Sequence, residues 1–304
     1  MVLRIKYPII LLGICLLLPL MSSAADFKAT ETPHFAFFFH ARDRRIMRSL
    51  IDEAEVVRRE VVKDLGTDFS GITRVYLAPS AREYREMQPD RWVPSWSAGV
   101  AYPRSNVIIL KSPRAIRGGR MDLNRVFKHE LTHIAVGRAF RGTERVPRWL
   151  DEGLAMYESR EWDLSRISTI TRAVLTDSLI PLAEITIGFP EDAGRAELAY
   201  AQSFYLVTFL VSKYGRENFH RFIRKYSTGK SLEDVLLVVY GLRWNEFEER
   251  WRDYLKLRFS WFPIITSTTT LWFLISMVFI IGYVRKRRAG KRLLEEWERE
   301  EGDL

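Results

Sequence analysis

Cysteine is almost missing from this 304-residue chain: the single one, Cys15, lies in an N-terminal apolar run. A disulfide framework and a thiol nucleophile are thereby excluded for everything downstream. Cys15 follows Ile14 midway through that run, unlike the Leu-x-Gly/Ala-Cys of a lipoprotein signal, so lipidation is not expected. Asn-x-Ser/Thr sequons are also absent, which together with the lack of cysteine suits a bacterial envelope. There is no internal repeat and no low-complexity linker. The formal charge of +9 includes two from Arg4 and Lys6 and one from the tail 285–304 (seven basic, six acidic), leaving +6 for the middle. That excess is spread without a basic run interleaved with aromatics, so it reads as a solvated surface and no nucleic-acid partner is expected.

Apolar residues make up 47% of the chain, enough for a substantial core. Two apolar segments stand apart. In "MVLRIKYPIILLGICLLLPLMSSAADF", Arg4 and Lys6 precede the first, and small residues Ser22 to Ala25 follow it. This is the layout of a secretory signal over residues 1–25, with cleavage expected after Ala25 or one residue earlier. The second runs from Phe259 to Val284 without a charge between Arg258 and Arg285. As a helix it would reach about 39 Å, enough to cross a hydrocarbon layer of about 30 Å. Trp261 and Tyr283 mark its ends, and the basic block Arg285 to Arg288 follows, which places residues 285–304 on the cytoplasmic side. Whether the signal is cleaved or retained as an anchor, residues 26–258 are expected on the extracytoplasmic side of the cell membrane, periplasmic or cell-surface, as one ectodomain.

Within 26–258, His34 to His40 is aromatic and strand-like. Ile46, Leu50, Ile51, Ala54, Val57, Val61 and Leu65 recur at three- and four-residue steps and stop at Gly66, an amphipathic helix with a glycine end. Ile72 to Ala78 reads as a second strand, with a short polar helix from Ser80. Trp96 to Leu110 reads as two strands joined through the turn Pro103 to Asn106. Beyond Met121 the pattern predicts long helices at 122–140, 147–159, 196–214, 216–226, 231–240 and 244–258. The class is α+β: a small N-terminal sheet packed on one side of a helical second half, plus one transmembrane helix.

The chemistry concentrates in "KHELTHIAVG", Lys128 to Gly137. His129 and His133 are four residues apart, so at about 100° per residue they project from one helix face a turn apart. Two imidazoles so placed can occupy two tetrahedral positions on a zinc ion, while Glu130 is offset toward a water. The helix is apolar at Val126, Phe127, Leu131, Ile134, Ala135 and Val136, as a buried one would be. A second helix, "PRWLDEGLAMYES", is opened by Pro147, and Glu152 follows His133 after eighteen intervening residues. A return helix would bring Glu152 beside the histidines as a third ligand, with one position left for water. The alternative third ligand of astacin-like sites is missing, because Val136 and Ala139 stand where a glycine and a histidine would be needed.

"HELTH" followed by Glu152 within "WLDEGLA" resembles the gluzincin zinc metallopeptidases, most nearly their bacterial peptidase MA-like members; the likeness extends more loosely from Trp96 to about Gly215. The resemblance implies Zn2+ as cofactor, His129, His133 and Glu152 as its ligands, Glu130 as general base, and a peptide or protein substrate. It further suggests Tyr200, with Tyr205 behind it, as donor to the oxyanion. The strand carrying Gly99, Val100 and Ala101 is a candidate for pairing with an extended peptide, and an ordinary edge strand is the competing reading. Two departures matter. Met156 stands where thermolysin-like relatives place an aspartate that orients a histidine, leaving Asp151 and Glu158 as substitutes. "SAGVAY" has no acid where aminopeptidases of the clan hold the substrate amine, which favours an endopeptidase. The rival is a catalytically inactive zinc-binding scaffold or interaction domain tethered through 259–284. His34, His40 and His220 read as isolated structural or surface groups, and Trp149, Trp244 and Trp251 as packing.

Overall fold

Short, mostly apolar runs buried on both faces, such as "FAFFFH" and "VIILK", build the centre of the sheet. The computed structural model describes residues 27–66, 68–89, 97–116, 121–140, 146–161, 164–260 and 268–302. The expected signal 1–25, Trp96 and Trp261 lie outside the described residues. Five strands, β1 (Phe27–Glu31), β2 (Phe35–His40), β3 (Thr73–Ala78), β4 (Gly99–Tyr102) and β5 (Val107–Lys111), lie in the order β1-β2-β3-β5-β4. The three central strands run parallel, and β1 and β4 close the two ends antiparallel. Register aligns Phe37 with Val75, Val75 with Ile108 and Ile108 with Ala101 on one face. Phe37, Val75 and Ile108 are fully buried.

The chain divides into two compact units. The first holds the sheet, α1 (Arg44–Leu65), α2 (Ala81–Glu86) and α3 (Leu123–Ala139) as far as Arg138. α1 returns the chain from β2 to the parallel β3 and buries Met47, Leu50, Ala54, Val61 and Leu65, a stripe at three- and four-residue spacing. α3 lies over the sheet face just described: the Phe127 ring meets Phe35 edge-on at 5.5 Å and Phe37 at 6.5 Å. Lys128 and Asn124 on α3 bond to Glu60 and Glu53 on α1. A β-carbon on Gly137 would collide with Pro103, so only glycine lets the end of α3 lie this close to the β4–β5 turn.

The second unit, from Ala139 onward with the stretch at Asp64, is helical: α4 (Arg148–Glu158), α5 (Leu164–Leu175), α6 (Leu182–Ile187), α7 (Ala193–Tyr214), α8 (Arg216–Tyr226), α9 (Leu232–Tyr240) and α10 (Trp244–Phe259), followed by α11 (Thr268–Gly302). α7 is its central helix. Asp192 caps its N-terminus by accepting from Arg195 N–H, and Gly215 ends it at φ +83°. α4 presses against α7 through Gly153, where a β-carbon would strike the Ser203 carbonyl and lie 2.8 Å from Val207 Cγ2. Buried Gln202 on α7 accepts from Ile180 N–H and donates to Ile180 C=O, both at 2.8 Å, which pins the segment before α6.

The class α+β stands. α5 and α6 were not foreseen from the sequence, nor was β1. Residue 259, where the expected membrane segment begins, lies at the end of α10, and residues 261–267 of that segment lie outside the described residues. Phe259 closes α10, is 4% exposed and meets Tyr205 edge-on at 4.9 Å, so it belongs to the core of the helical unit. Among the described residues one helical stretch, Thr268–Lys291, is long and apolar enough to cross a membrane. Leu271, Trp272, Phe273 and Phe279 on it are all more than half exposed.

Candidate active site

α3 carries His129 and His133 on adjacent turns of one face. Their Nε2 atoms are 3.2 Å apart and their rings meet edge-on at 4.9 Å between centroids. Two nitrogens bound to one tetrahedral zinc at about 2.0–2.1 Å stand roughly 3.3 Å apart, so the pair already has the separation that an ion requires. Both rings are half-buried. Ligand atoms of His129, His133 and Glu152 all lie within 4.8 Å of one another. Two imidazoles and a carboxylate form the donor set of catalytic zinc sites, so these residues fit the metal that the motif implies.

Glu130, between the histidines in sequence, is 7% exposed. Its carboxylate lies against the backbone of β4, where a β-carbon on Gly99 would lie 2.7 Å from Oε1 and 2.8 Å from Cγ. Burial pushes the Tyr84 phenol well above its usual range, and the nearby Glu130 carboxylate adds to the effect. Tyr84 Oη is 3.1 Å from Ser97 Oγ, and Ser97 donates at 2.5 Å to the Gly99 carbonyl. The seat of Glu130 is thus held from α2 through Ser97.

β4 is an end strand of the sheet. Lys111 N–H donates to Ala98 C=O, and antiparallel alternation then turns the backbone groups of Gly99 and Ala101 away from β5. Val100 points to the opposite face, among partly buried neighbours of Tyr84 and Ile109.

On α4, Glu152 is 5% exposed. Arg148, one turn earlier, pairs with it, Nη2 to Oε1 at 2.6 Å, and Nη1 lies 3.7 Å from Asp151. Burial lowers the Arg148 pKa, but Glu152, Asp151 and Tyr200 outweigh it and leave it raised, and Arg148 is hydrogen bonded to the Tyr200 hydroxyl. Phe189 meets the Tyr200 ring edge-on at 4.8 Å and lies 5.8 Å under the Arg148 guanidinium carbon. Tyr200 therefore joins a polar cluster that includes Glu152. Tyr205 is 2% exposed and packs edge-on against Phe204 and Phe259 in the core. Asp151 is engaged with Arg148, and Glu158 is buried beside Tyr157.

The other histidines have local tasks. His34 Nδ1 is 2.8 Å from Glu55, His40 packs edge-on against Phe27, and His220 Nε2 is 2.9 Å from Asp64 C=O. Trp149 and Trp251 are fully buried. Arg148 is the residue that sequence reasoning missed. Its signal was the i, i+4 spacing to Glu152 in "PRWLDEG".

The sequence model of the Peptidase MA superfamily matches residues 60–257. No curated protein matches the chain. Similar solved structures include the native LTA4 hydrolase of yeast, 14% identical over 75% of this chain and 38% of that one, with a TM-score of 0.46. The M1 zinc metallopeptidase of Deinococcus radiodurans is 16% identical over 76% of this chain and 51% of that one, with a TM-score of 0.42. The chain spans about half or less of the length of either.

Proposed function

Because the chain belongs to the Peptidase MA superfamily, we propose that it is a membrane-anchored zinc endopeptidase whose catalytic residues act outside the cytoplasm. The observation that carries this reading is the 3.2 Å His129–His133 pair with a Glu152 ligand atom no more than 4.8 Å away. His129, His133 and Glu152 would hold the ion. Zinc, when bound, supplies Lewis acidity and makes water acidic enough to attack near neutral pH. Glu130 takes the proton of the attacking water and returns it to the departing nitrogen. Tyr200 donates to the oxyanion as charge develops on the carbonyl oxygen. The outward Gly99 N–H and the outward backbone groups of Ala101 suit an extended peptide added alongside β4, the Gly99 carbonyl being held by Ser97.

β4, Gly99 to Tyr102, has no acidic side chain to neutralise a substrate amine, which supports cleavage within a chain over removal of its first residue. α11 supports the anchor: an apolar stretch is followed by Arg285–Arg288, and such basic blocks stay on the cytoplasmic side.

The test is zinc content and chelator-sensitive cleavage of an unstructured peptide by the purified full chain in detergent, beside Glu130→Gln. Full zinc with turnover reduced by at least about 100-fold is expected of the variant. Equal turnover in both would remove Glu130 from the mechanism. A wild-type protein that binds zinc and cleaves nothing would indicate a tethered scaffold.

A further inference from the structure

The pairing of Arg148 with Glu152 has the form of an exposed i, i+4 ion pair, which ordinarily contributes little. Its surroundings set it apart. The Glu152 side chain is 6% exposed and that of Arg148 46%, so the pair links a buried carboxylate to a half-open guanidinium. A carboxylate buried to this degree is costly unless it is charge-paired and hydrogen bonded. Arg148 meets that need, and it also contacts Asp151 and the Tyr200 hydroxyl, while Phe189 lies under it. A guanidinium presents five N–H donors in a rigid fork and has no acceptor, so it can serve several oxygens at once from a fixed position.

We propose that Arg148 is a positioning residue that sets the Glu152 carboxylate for metal binding and the Tyr200 phenol for donation to the oxyanion; the inference rests on the peptidase reading given above. Two consequences follow from donor chemistry. With one oxygen held by Arg148, Glu152 offers an ion a single oxygen, as a four-coordinate site requires. Because Arg148 can only donate, the Tyr200 oxygen accepts from it, and the phenolic proton is directed elsewhere. A phenol that accepts a charge-assisted hydrogen bond is also the stronger donor. Phe189 restricts both partners, lying edge-on to Tyr200 and beneath Arg148. One residue outside the metal set thus joins the ligand helix α4 to the tyrosine of α7.

The experiment uses the full chain in detergent with Arg148→Gln, Arg148→Lys, Tyr200→Phe, Glu152→Gln and the Arg148→Gln/Tyr200→Phe double variant. Zinc affinity is measured by competition with a chromophoric chelator, kcat and KM on a fluorogenic peptide, and Tm by circular dichroism. Arg148→Gln is expected to weaken zinc binding by about 10- to 100-fold, to lower kcat with KM within about twofold, and to leave Tm within a few degrees. Tyr200→Phe should lower kcat by about 10-fold or more in the wild-type background and by less than about threefold when Arg148 is already Gln. Arg148→Lys, which keeps the charge but not the fork, should restore part of the zinc affinity and little of the coupling to Tyr200. It carries the same comparison if the Gln variant does not fold. Zinc affinity unchanged within twofold, or an equal Tyr200→Phe penalty in both backgrounds, overturns the inference. Wild-type zinc affinity in Glu152→Gln would instead overturn the metal-site reading on which it stands.

Discussion

A β-carbon at residue 99 would lie 2.7 Å from Oε1 of Glu130, closer than such atoms come in proteins. Gly99 therefore works as a seat for Glu130, the proposed general base. Gly99→Ala must displace the Glu130 carboxylate, the movable end of a flexible side chain, so the cost should fall on catalysis. Turnover is expected to drop by about 100-fold, as a 1 Å misplacement of a catalytic group can cause, with zinc content and Tm nearly unchanged. Turnover within about threefold of wild type would show that Glu130 tolerates another position.

Gly153, beside Glu152, meets α7 at the Ser203 carbonyl, a backbone atom that cannot swing aside. Gly153→Ala gains helix propensity of about 1 kcal/mol, but overpacking of about 1–3 kcal/mol opposes it. A net loss of Tm of a few degrees is expected for a unit of this size, together with weaker zinc binding as α4 moves off α7. The two glycine variants should separate cleanly, since Gly99→Ala spares stability and zinc where Gly153→Ala loses both. A Gly153→Ala protein with higher Tm and full zinc affinity would contradict the close packing of α4 on α7.

The sequence carried these elements unequally, for physical reasons. α1 was legible because Leu50, Ala54, Val61 and Leu65 repeat at helical spacing, and the β4–β5 hairpin because Pro103 to Asn106 reads as a turn, closed by Asn106 at φ +57°. β1 was not: four of the five residues of "FKATE" are exposed, and the strand owes its order to pairing with β2. α5, "LSRISTITRAVL", mixes β-branched with polar residues and takes its helical form from packing of Ile167, Ile170 and Ala173. Phe259 was assigned to the membrane because an apolar residue buried in protein and one facing lipid look alike in a sequence. The convergence of His129, His133 and Glu152 was legible through their spacing. Arg148 was not legible, because its partnership with Tyr200 on α7 exists only once the chain is folded.

Glu55 ties the β1–β2 turn to α1, accepting from Thr32 Oγ1 at 2.7 Å and from His34 N–H at 2.9 Å, with His34 Nδ1 at 2.8 Å. Burial alone would raise its pKa, but the hydrogen bonds from Thr32 and His34 outweigh it and hold the carboxyl below the usual range. A depressed carboxylate stabilises the fold fully above its unfolded-state pKa of about 4.3, and that contribution is lost as pH falls through the folded-state value. Wild type should therefore exceed Glu55→Gln in urea-midpoint stability at pH 6, and the gap should close progressively as pH falls below about 4.3. A gap that stays constant or widens on acidification would show that Glu55 gains nothing from its partners in the folded state.

α11 is expected to cross the membrane with Arg285–Arg288 on the cytoplasmic side, and the scarcity of cysteine gives a direct test. In a Cys15→Ser background the chain has no other thiol, so Thr228→Cys, exposed after α8, and Ala289→Cys, exposed on α11 beyond the basic block, each report a single position. Charge asymmetry around a span sets its orientation, and moving a block of four cations across a hydrocarbon layer is strongly unfavourable. In sealed right-side-out membrane vesicles, a membrane-impermeant maleimide should label residue 228 at once and residue 289 only after detergent is added. Labelling of 289 before detergent and of 228 only afterwards would invert the topology and place Glu130 and the histidines in the cytoplasm. Labelling of both without detergent would show that α11 does not span the bilayer, leaving the metal site of a peripheral protein.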